Sequence, residues 1–227
     1  RLAVRVTRWR AVLLASGLGV FTLGLMATLP AEVIAPKGRD AVGTVWNGQM
    51  ALQDGFVVGW KLKPFRSMFS ASLVGDITVR GPDTDLVGEG LMRPGRLLLR
   101  DVTGTASTRL INTAARSLPF TCESLAQVDI SELAIKGAPA GVGTIRTSPG
   151  QCVPQGGQGD ASPLPALVGT LSADAGATQI ALDREGSGEA VARARIAPDG
   201  ALSLSIEQGG VGVLPGVGAP VSLETTL

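Results

Sequence analysis

Histidine and tyrosine are both absent from this chain of 227 residues, and aromatic residues of any kind make up only 4% of it. Lack of histidine removes the commonest general base and the commonest metal ligand at neutral pH. A basic stripe for nucleic acid is missing too. Lys and Arg number 20 against 19 Asp and Glu, and four of the basic residues, Arg1, Arg5, Arg8 and Arg10, stand together at the N-terminus. The remainder is slightly acidic, which leaves no polybasic face and no nucleic-acid partner. Cysteine occurs only twice, at Cys122 and Cys152, too few to complete a four-ligand zinc site without histidine.

Charge is missing from one long stretch: residues 11–29 are nineteen consecutive uncharged positions. As a helix this stretch is about 28 Å long, close to the hydrocarbon thickness of a bilayer. The four arginines on its N-terminal side, with no acid among them, predict a cytoplasmic tail over 1–10 and a domain on the far side of the membrane. Trp9 falls at the expected interface. Gly17, Gly19 and Gly24 lower intrinsic helicity, a preference that lipid overrides by forcing the backbone to satisfy itself. The competing reading is a cleaved signal peptide. Its apolar core normally runs only about 7–15 residues, and the small-residue site at Val33 and Ala35 runs directly into Pro36, which hinders cleavage. The expectation is therefore a retained single-pass helix.

Glycine and proline are plentiful, 31 and 14 residues, a composition suited to short strands joined by tight turns. Abundant serine and threonine predict a hydroxylated rather than charged outer face. After a linker over 30–40, the segment from Gly43 to Gly48 reads as a strand closed by the Asn47-Gly48 turn signal. Residues 56–63 alternate, with Val58, Trp60 and Leu62 facing one way and Lys61 and Lys63 the other, and Pro64 stops them. Further strands are predicted over 69–73, 75–80, 96–102, 126–131, 132–136, 143–147, 167–173, 177–183, 189–196 and 201–207. One helix is predicted over 107–118, where Leu110, Ile111, Ala114, Ala115 and Leu118 form a stripe ended by Pro119. Residues 147–165 read as a loop, Asp199-Gly200 as a tight hairpin, and 209–227 as a loose glycine- and proline-rich tail. Gly-Thr-hydrophobic openings recur at Gly43, Gly143 and Gly169. This points to a meander: a mainly β fold in which an N-terminal transmembrane helix precedes a curved antiparallel sheet over 41–208 with one short helix.

No reactive constellation emerges. The pairs Asp83 with Asp85 and Glu185 with Glu189 lie in predicted turns, where solvated loop acids are the ordinary outcome. Glycines between 210 and 218 lack the Lys-Ser/Thr ending of a phosphate loop. Trp46 and Trp60 are read as core residues, with ligand stacking as the alternative. If the far compartment is oxidising, Cys122 and Cys152 are expected to form one disulfide, worth roughly 3–4 kcal/mol in the chain-entropy model; two unrelated buried thiols remain the alternative. No cofactor, metal or catalytic residue is expected.

Several short motifs in order resemble the type II secretion system protein N family (general secretion pathway protein N). They are Gly43-Thr44-Val45-Trp46-Asn47-Gly48 soon after the apolar stretch, Trp60-Lys61-Leu62-Lys63-Pro64, the leucine-rich run from Leu97 to Asp101-Val102, and Leu118-Pro119. The glycine-rich C-terminal end departs from that pattern. What the resemblance implies is an accessory, non-enzymatic subunit anchored in the bacterial inner membrane, with its domain in the periplasm. Its implied partners are other secretion subunits, either the secretin or inner-membrane components. The alternative is an AsmA-like β-trough that binds or conducts lipid between membranes. The lining of the concave face discriminates them: dry aliphatics for lipid, hydroxyls and charges for protein.

Overall fold

The computed structural model describes residues 2–33, 40–64, 66–67, 72–110, 120–154, 161–211, 213–214 and 219–226. Helix α1 (Leu2–Ala27) comes first, followed by a 3-10 turn (Ala31–Val33). Strands β1 (Ala41–Gly43), β2 (Asn47–Ala51), β3 (Val57–Leu62), β4 (Leu73–Gly81), β5 (Thr84–Arg93) and β6 (Arg96–Ser107) follow. Next come β7 (Phe120–Glu123), β8 (Leu125–Lys136), β9 (Gly141–Thr147), β10 (Gly150–Pro154) and β11 (Ser162–Leu164). The chain continues through β12 (Leu167–Asp174), β13 (Ala177–Arg184), β14 (Ala190–Ile196), β15 (Ala201–Ile206) and β16 (Val221–Thr226).

Thirteen of these strands form one antiparallel sheet in the order β1-β2-β3-β4-β5-β6-β8-β9-β12-β13-β14-β15-β16, and β11-β10-β7 form a second. The order follows the chain except where β7, β10 and β11 leave it. The expected mainly β, antiparallel meander is therefore present.

Partners across an antiparallel ladder share a face, so the register sorts the side chains. Trp60 pairs with Gly48 and Ile77, Leu99 with Leu133, Val128 with Ile145, and Ile180 with Ala194. That face is predominantly apolar, with Lys136, Thr147, Thr178 and Arg184 toward the strand ends. On the other face Lys61 pairs with Asp76, Asp76 with Glu89, Glu89 with Arg100 and Arg100 with Glu132. Next to this charged ladder runs a more hydroxylated one, through Thr103, Asp129, Thr144 and Thr170. The outer face is thus charged as well as hydroxylated, contrary to the composition-based expectation, and toward the β5–β6 turn it carries an apolar row in which Val74, Leu98 and Ala134 are buried.

The apolar face is the inside of a tight curve. Gly137 N–H, in the turn after β8, donates to Pro198 O, in the turn after β14, at 2.8 Å. Four strand spacings separate β8 from β14, about 19 Å on a flat sheet, so only strong curling brings those turns together. Bulges interrupt the register at Val87/Glu89, Ile130/Glu132 and Leu182/Asp183, and each adds local bend and twist. Inside the curve Ala106, Val128, Ile130 and Leu171 are buried together, flanked by Leu86 from β5 and Ile180 from β13.

The bulges and the tertiary context correct several expectations. Ser131 is the extra residue of a bulge, so the two strands expected over 126–131 and 132–136 are one, β8. Gly43 to Gly48 is a turn between β1 and β2, because Gly43 (φ +97) pairs directly with Gly48. The stretch read as a loop over 147–165 contains β10 and β11, and the tail read as loose over 209–227 contains β16, which pairs with β15 along its length. Part of the expected linker is also ordered, with Ala31 buried and Pro30 bridging Thr44. Of the helix expected over 107–118, Ser107 ends β6, Arg109 and Leu110 are helical, and 111–119 lie outside the described residues. The strand expected over 69–73 likewise falls mostly outside them, with β4 beginning at Leu73.

Among the described residues no helix is long and apolar enough to cross a membrane. The longest unbroken run of described side chains in α1 is 12–21, about 15 Å of helix and half a bilayer core. Within that run Val12, Leu13, Leu14, Leu18, Val20 and Phe21 are all exposed, so α1 does not bury these side chains against the sheet.

Candidate functional site

The residues singled out by the Gly-Thr and Trp motifs assemble at the N-terminal edge of the sheet. Thr44 N–H donates to Asn47 O at 2.9 Å and Asn47 N–H to Thr44 Oγ1 at 3.1 Å, closing the β1–β2 turn. Trp46 sits in that turn, half-buried rather than in a strand, and its carbonyl accepts from Leu62 N–H at 2.7 Å. Trp60 lies across Gly48: a Cβ there would come within 2.5 Å of the ring. Its Nε1 donates to Val45 O at 2.9 Å. Leu62 lies over Gly75 in the same manner. Pro64 opens a helical turn, in which Ser67 N–H donates to Lys63 O at 2.9 Å; proline suits such a first position because its missing N–H needs no partner there. The seven motif residues Gly43, Thr44, Trp46, Gly48, Trp60, Leu62 and Pro64 are thus parts of one structural knot.

That knot is also where the apolar helix joins the domain. Val45 N–H donates to Leu29 O at 2.9 Å. The strand ends on this side of the sheet therefore lie next to the C-terminal end of α1.

From there the concave face runs over β3 to β6, lined by Val58, Trp60, Leu62, Ile77, Val79 and Leu99, all half-buried. It is an open apolar trough, in contrast to the closed centre around Val128 and Ile130. Sequence alternation finds the inward residues of β3; that the face stays apolar through β4 to β6 becomes visible only through the register.

At the opposite strand ends the C-terminal half of the trough is plugged. Cys122 and Cys152 are bonded to each other and stand opposite in the β7–β10 pairing. Cys152 is fully enclosed in a cluster with Phe120, Leu164, Leu167, Val191 and Ile206. Val191 is the extra residue of the β14 bulge, which aims it into that core. The small sheet and the chain around Leu214 together cover this end.

The outer face carries an open hollow of about 450 Å³ over β1–β4, lined among others by Gln49, Gly59, Lys61, Asp76 and Thr78. Beside it Lys63 bridges Asp76 (2.6 Å) and Glu89 (3.0 Å), and Arg66 also reaches Glu89 (3.0 Å). Hydrogen bonds that Lys63 Nζ donates to Asp76 first and Glu89 second raise its pKa above the ordinary value. The carboxylate pairs of the sequence are exposed acids in or beside turns, with Asp85 at the start of β5. Asp83 occupies a left-handed turn position, Asp85 faces Arg80 at 3.5 Å, and Glu189 faces Arg184 at 3.1 Å. Gly209 and Gly210 are buried against the backbone of β14, leaving no room above them for a phosphate. Among the described residues no three His, Cys, Asp or Glu side chains gather to hold a metal.

Compared with protein-family models, curated proteins and solved structures, the chain matches none.

Proposed function

We propose that this chain is a membrane-anchored, non-catalytic subunit of the type II protein secretion machine, working through the surface and edge of its curved sheet. The observation that carries this reading is the N-terminal knot. Motifs separated in sequence but shared with the protein N family interlock through Trp60, Gly48 and Leu62, as expected if they define one inherited unit. Anchoring rests on the uncharged run over 11–29 and on exposed apolar side chains along α1; a helix apolar on all sides needs an apolar surrounding. The tail over 1–10 is then cytoplasmic and the sheet periplasmic, an oxidising setting consistent with the Cys122–Cys152 bond.

The test is co-purification of the full chain from detergent-solubilised membranes with named partners, the secretin and the inner-membrane secretion subunits. Recovery of neither, together with unchanged secretion of a reporter in a deletion strain, refutes the role. A mature N-terminus at or beyond Ala31 refutes the anchor. A second reading, a trough that holds lipid, is favoured by one specific observation: the concave face over β3–β6 is apolar and half-open, while the charged ladder from Lys61 through Asp76, Glu89 and Arg100 sits on the convex side.

A further inference from the structure

We propose that the sheet stands upright on the surface of the bilayer that holds α1, with its basic strand ends against anionic lipid headgroups and its acidic strand ends turned away. The proposal rests on the membrane anchoring proposed above and adds the face that meets the membrane, the class of lipid and the posture of the domain.

The sheet has two rims of strand ends. One contains the β1–β2, β5–β6, β8–β9, β12–β13 and β14–β15 turns and the connection from β3 to β4. This rim lies beside α1, because Val45 N–H in the β1–β2 turn donates to Leu29 O at 2.9 Å and Pro30 bridges Thr44. The opposite rim contains the β2–β3, β4–β5 and β13–β14 turns and the small sheet of β11, β10 and β7.

The two rims differ in the sign of their charge. Beside α1, Lys61 and Lys63 stand at the end of β3, Arg66 follows in the helical turn, Arg93 and Arg96 flank the β5–β6 turn, and Lys136 ends β8. Arg195 adds its guanidinium by donating to Ala175 O in the β12–β13 turn at 3.3 Å. Acids are fewer there: Asp76 and Glu89, both held by Lys63, and Asp174 and Asp199 near the turns of the C-terminal half. At the far rim the balance reverses. Asp54, Asp83 and Asp85 lie in or beside its first turns, Glu123 ends β7, Glu185 and Glu189 lie in the β13–β14 turn, and Glu207 follows β15. Arg80, Arg109, Arg146 and Arg184 are the bases described at that rim, and three of them face its own acids: Arg80 faces Asp85 at 3.5 Å, Arg184 faces Glu189 at 3.1 Å, and Arg109 faces Glu123.

An ion pair within a rim sums to zero and leaves the surplus of that rim unchanged. Among the described residues, the sheet is therefore polarised along its strands, with the positive end at the C-terminal end of α1. Such a field reaches only about a Debye length, ~8 Å at physiological salt, so it orients a domain only against a charged surface close by. The joint at Leu29 supplies that closeness. The end of β3 and the β5–β6 turn lie two to five strand spacings from β1, roughly 10–24 Å along the sheet, over the lipid that surrounds α1. Anionic headgroups attract the near rim and repel the far one, so both ends favour the same posture. Upright strands set the β16 edge perpendicular to the membrane and hold the disulfide-bonded small sheet farthest from it.

The test uses the full chain in vesicles of phosphatidylcholine with or without phosphatidylglycerol. Both native cysteines are bonded, so a fluorophore can be attached at one introduced cysteine, Ala138→Cys in the β8–β9 turn or Ser187→Cys in the β13–β14 turn, both at exposed positions. Height above the bilayer is read from energy transfer to an acceptor on the lipid headgroups. With phosphatidylglycerol present, the label at 138 should lie lower than the label at 187 by roughly 25 Å, the length of the eight-residue β13 at strand rise. The difference should shrink by about half or more in phosphatidylcholine alone, and likewise at about 1 M salt, where the Debye length is ~3 Å. Arg93→Glu with Lys136→Glu, at two exposed positions, should shrink it in the same way, with folding checked by an intact disulfide and an unchanged circular dichroism spectrum. The lipid and salt comparisons need neither substitution and hold if that double variant fails to fold. An equal, full difference in every lipid and at every salt concentration overturns the proposal and means that the joint at Leu29 alone sets the posture. No difference with phosphatidylglycerol present, or a lower label at 187, overturns it as well and leaves the basic rim to an acidic protein partner. Release of the chain from the vesicles by alkaline carbonate refutes the anchoring itself, and the proposal with it.

Discussion

Truncating Trp60 to alanine decides whether the N-terminal knot is held by packing or is a platform for a ligand. A Trp side chain buries on the order of 150–250 Å² when enclosed. With part of the ring left in solvent, at ~25 cal/mol per Å², the lost burial costs ~3 kcal/mol. Loss of the Nε1–Val45 O bond, 2.9 Å long, adds up to about 1 kcal/mol, reduced because water can reach a carbonyl in a turn. The sum, ~3–4 kcal/mol, acts on an edge whose outermost strand is only three residues long. It should therefore appear first as local opening. Hydrogen exchange on the full chain in detergent should show protection over 44–62 falling by roughly 10²–10³-fold. Gly48→Ala should act through the same contact, since its Cβ would stand 2.5 Å from the ring and 2.9 Å from Thr44 O. In the double variant the ring clash disappears and only the backbone crowding remains, so the two costs should fall short of their sum. Full protection in Trp60→Ala, combined with lost secretion, refutes the packing argument and returns Trp60 to a binding role.

Replacing Cys122 and Cys152 by alanine should lower stability by about 3–4 kcal/mol for a 30-residue separation; intact-mass measurement after alkylation without reductant should find no free thiol in the wild-type chain, and two free thiols would refute the pairing. Alkaline stability should trace to Lys63. Its raised pKa means that its ion pairs contribute fully below its ordinary value of 10.5 and are lost as pH rises through the higher folded value. With no tyrosine in the chain and both cysteines bonded, few other groups titrate there, so Lys63→Met should flatten the fall in melting temperature between about pH 10 and pH 12; an unchanged fall refutes the assignment. Proline placed in turn at Ser222 and at Leu223 of β16 removes the outward backbone donor in one case and a pairing donor in the other. If β16 is the edge that a secretion partner extends, the outward variant should fold and fail to secrete a reporter, and normal secretion by both folded variants refutes the edge mechanism.

Local chemistry made much of the architecture legible. The alternation Val58-Gly59-Trp60-Lys61-Leu62 exposes its own period, and Asp199-Gly200 contains its own turn, in which Gly200 adopts φ +92 and Asp199 Oδ1 accepts from Ala201 N–H. Two cysteines admit only one intramolecular pairing. Features that depend on a partner strand were not legible. The phase change at Ser131 looks like a strand end until β9 shows it to be a bulge. Gly43 looks like a strand opening until its pairing with Gly48 makes it the corner of a hairpin. Strands β10, β11 and β16 are rich in glycine, proline and serine or flanked by them, and draw their order from the ladders they join rather than from propensity.

By itself, then, the sequence determined the mainly β class, many of the alternating strands, the charge-free segment and the direction in which β3 points its side chains, because each of these is encoded in neighbours a few residues apart. Only the tertiary structure decided that the sheet curls until Gly137 bonds to Pro198, that its inner face is an apolar trough with one end plugged, and that the other end lies beside Leu29. Those outcomes come from bulges and hydrogen bonds between segments distant in the chain, and no window of adjacent residues carries the energy that selects them.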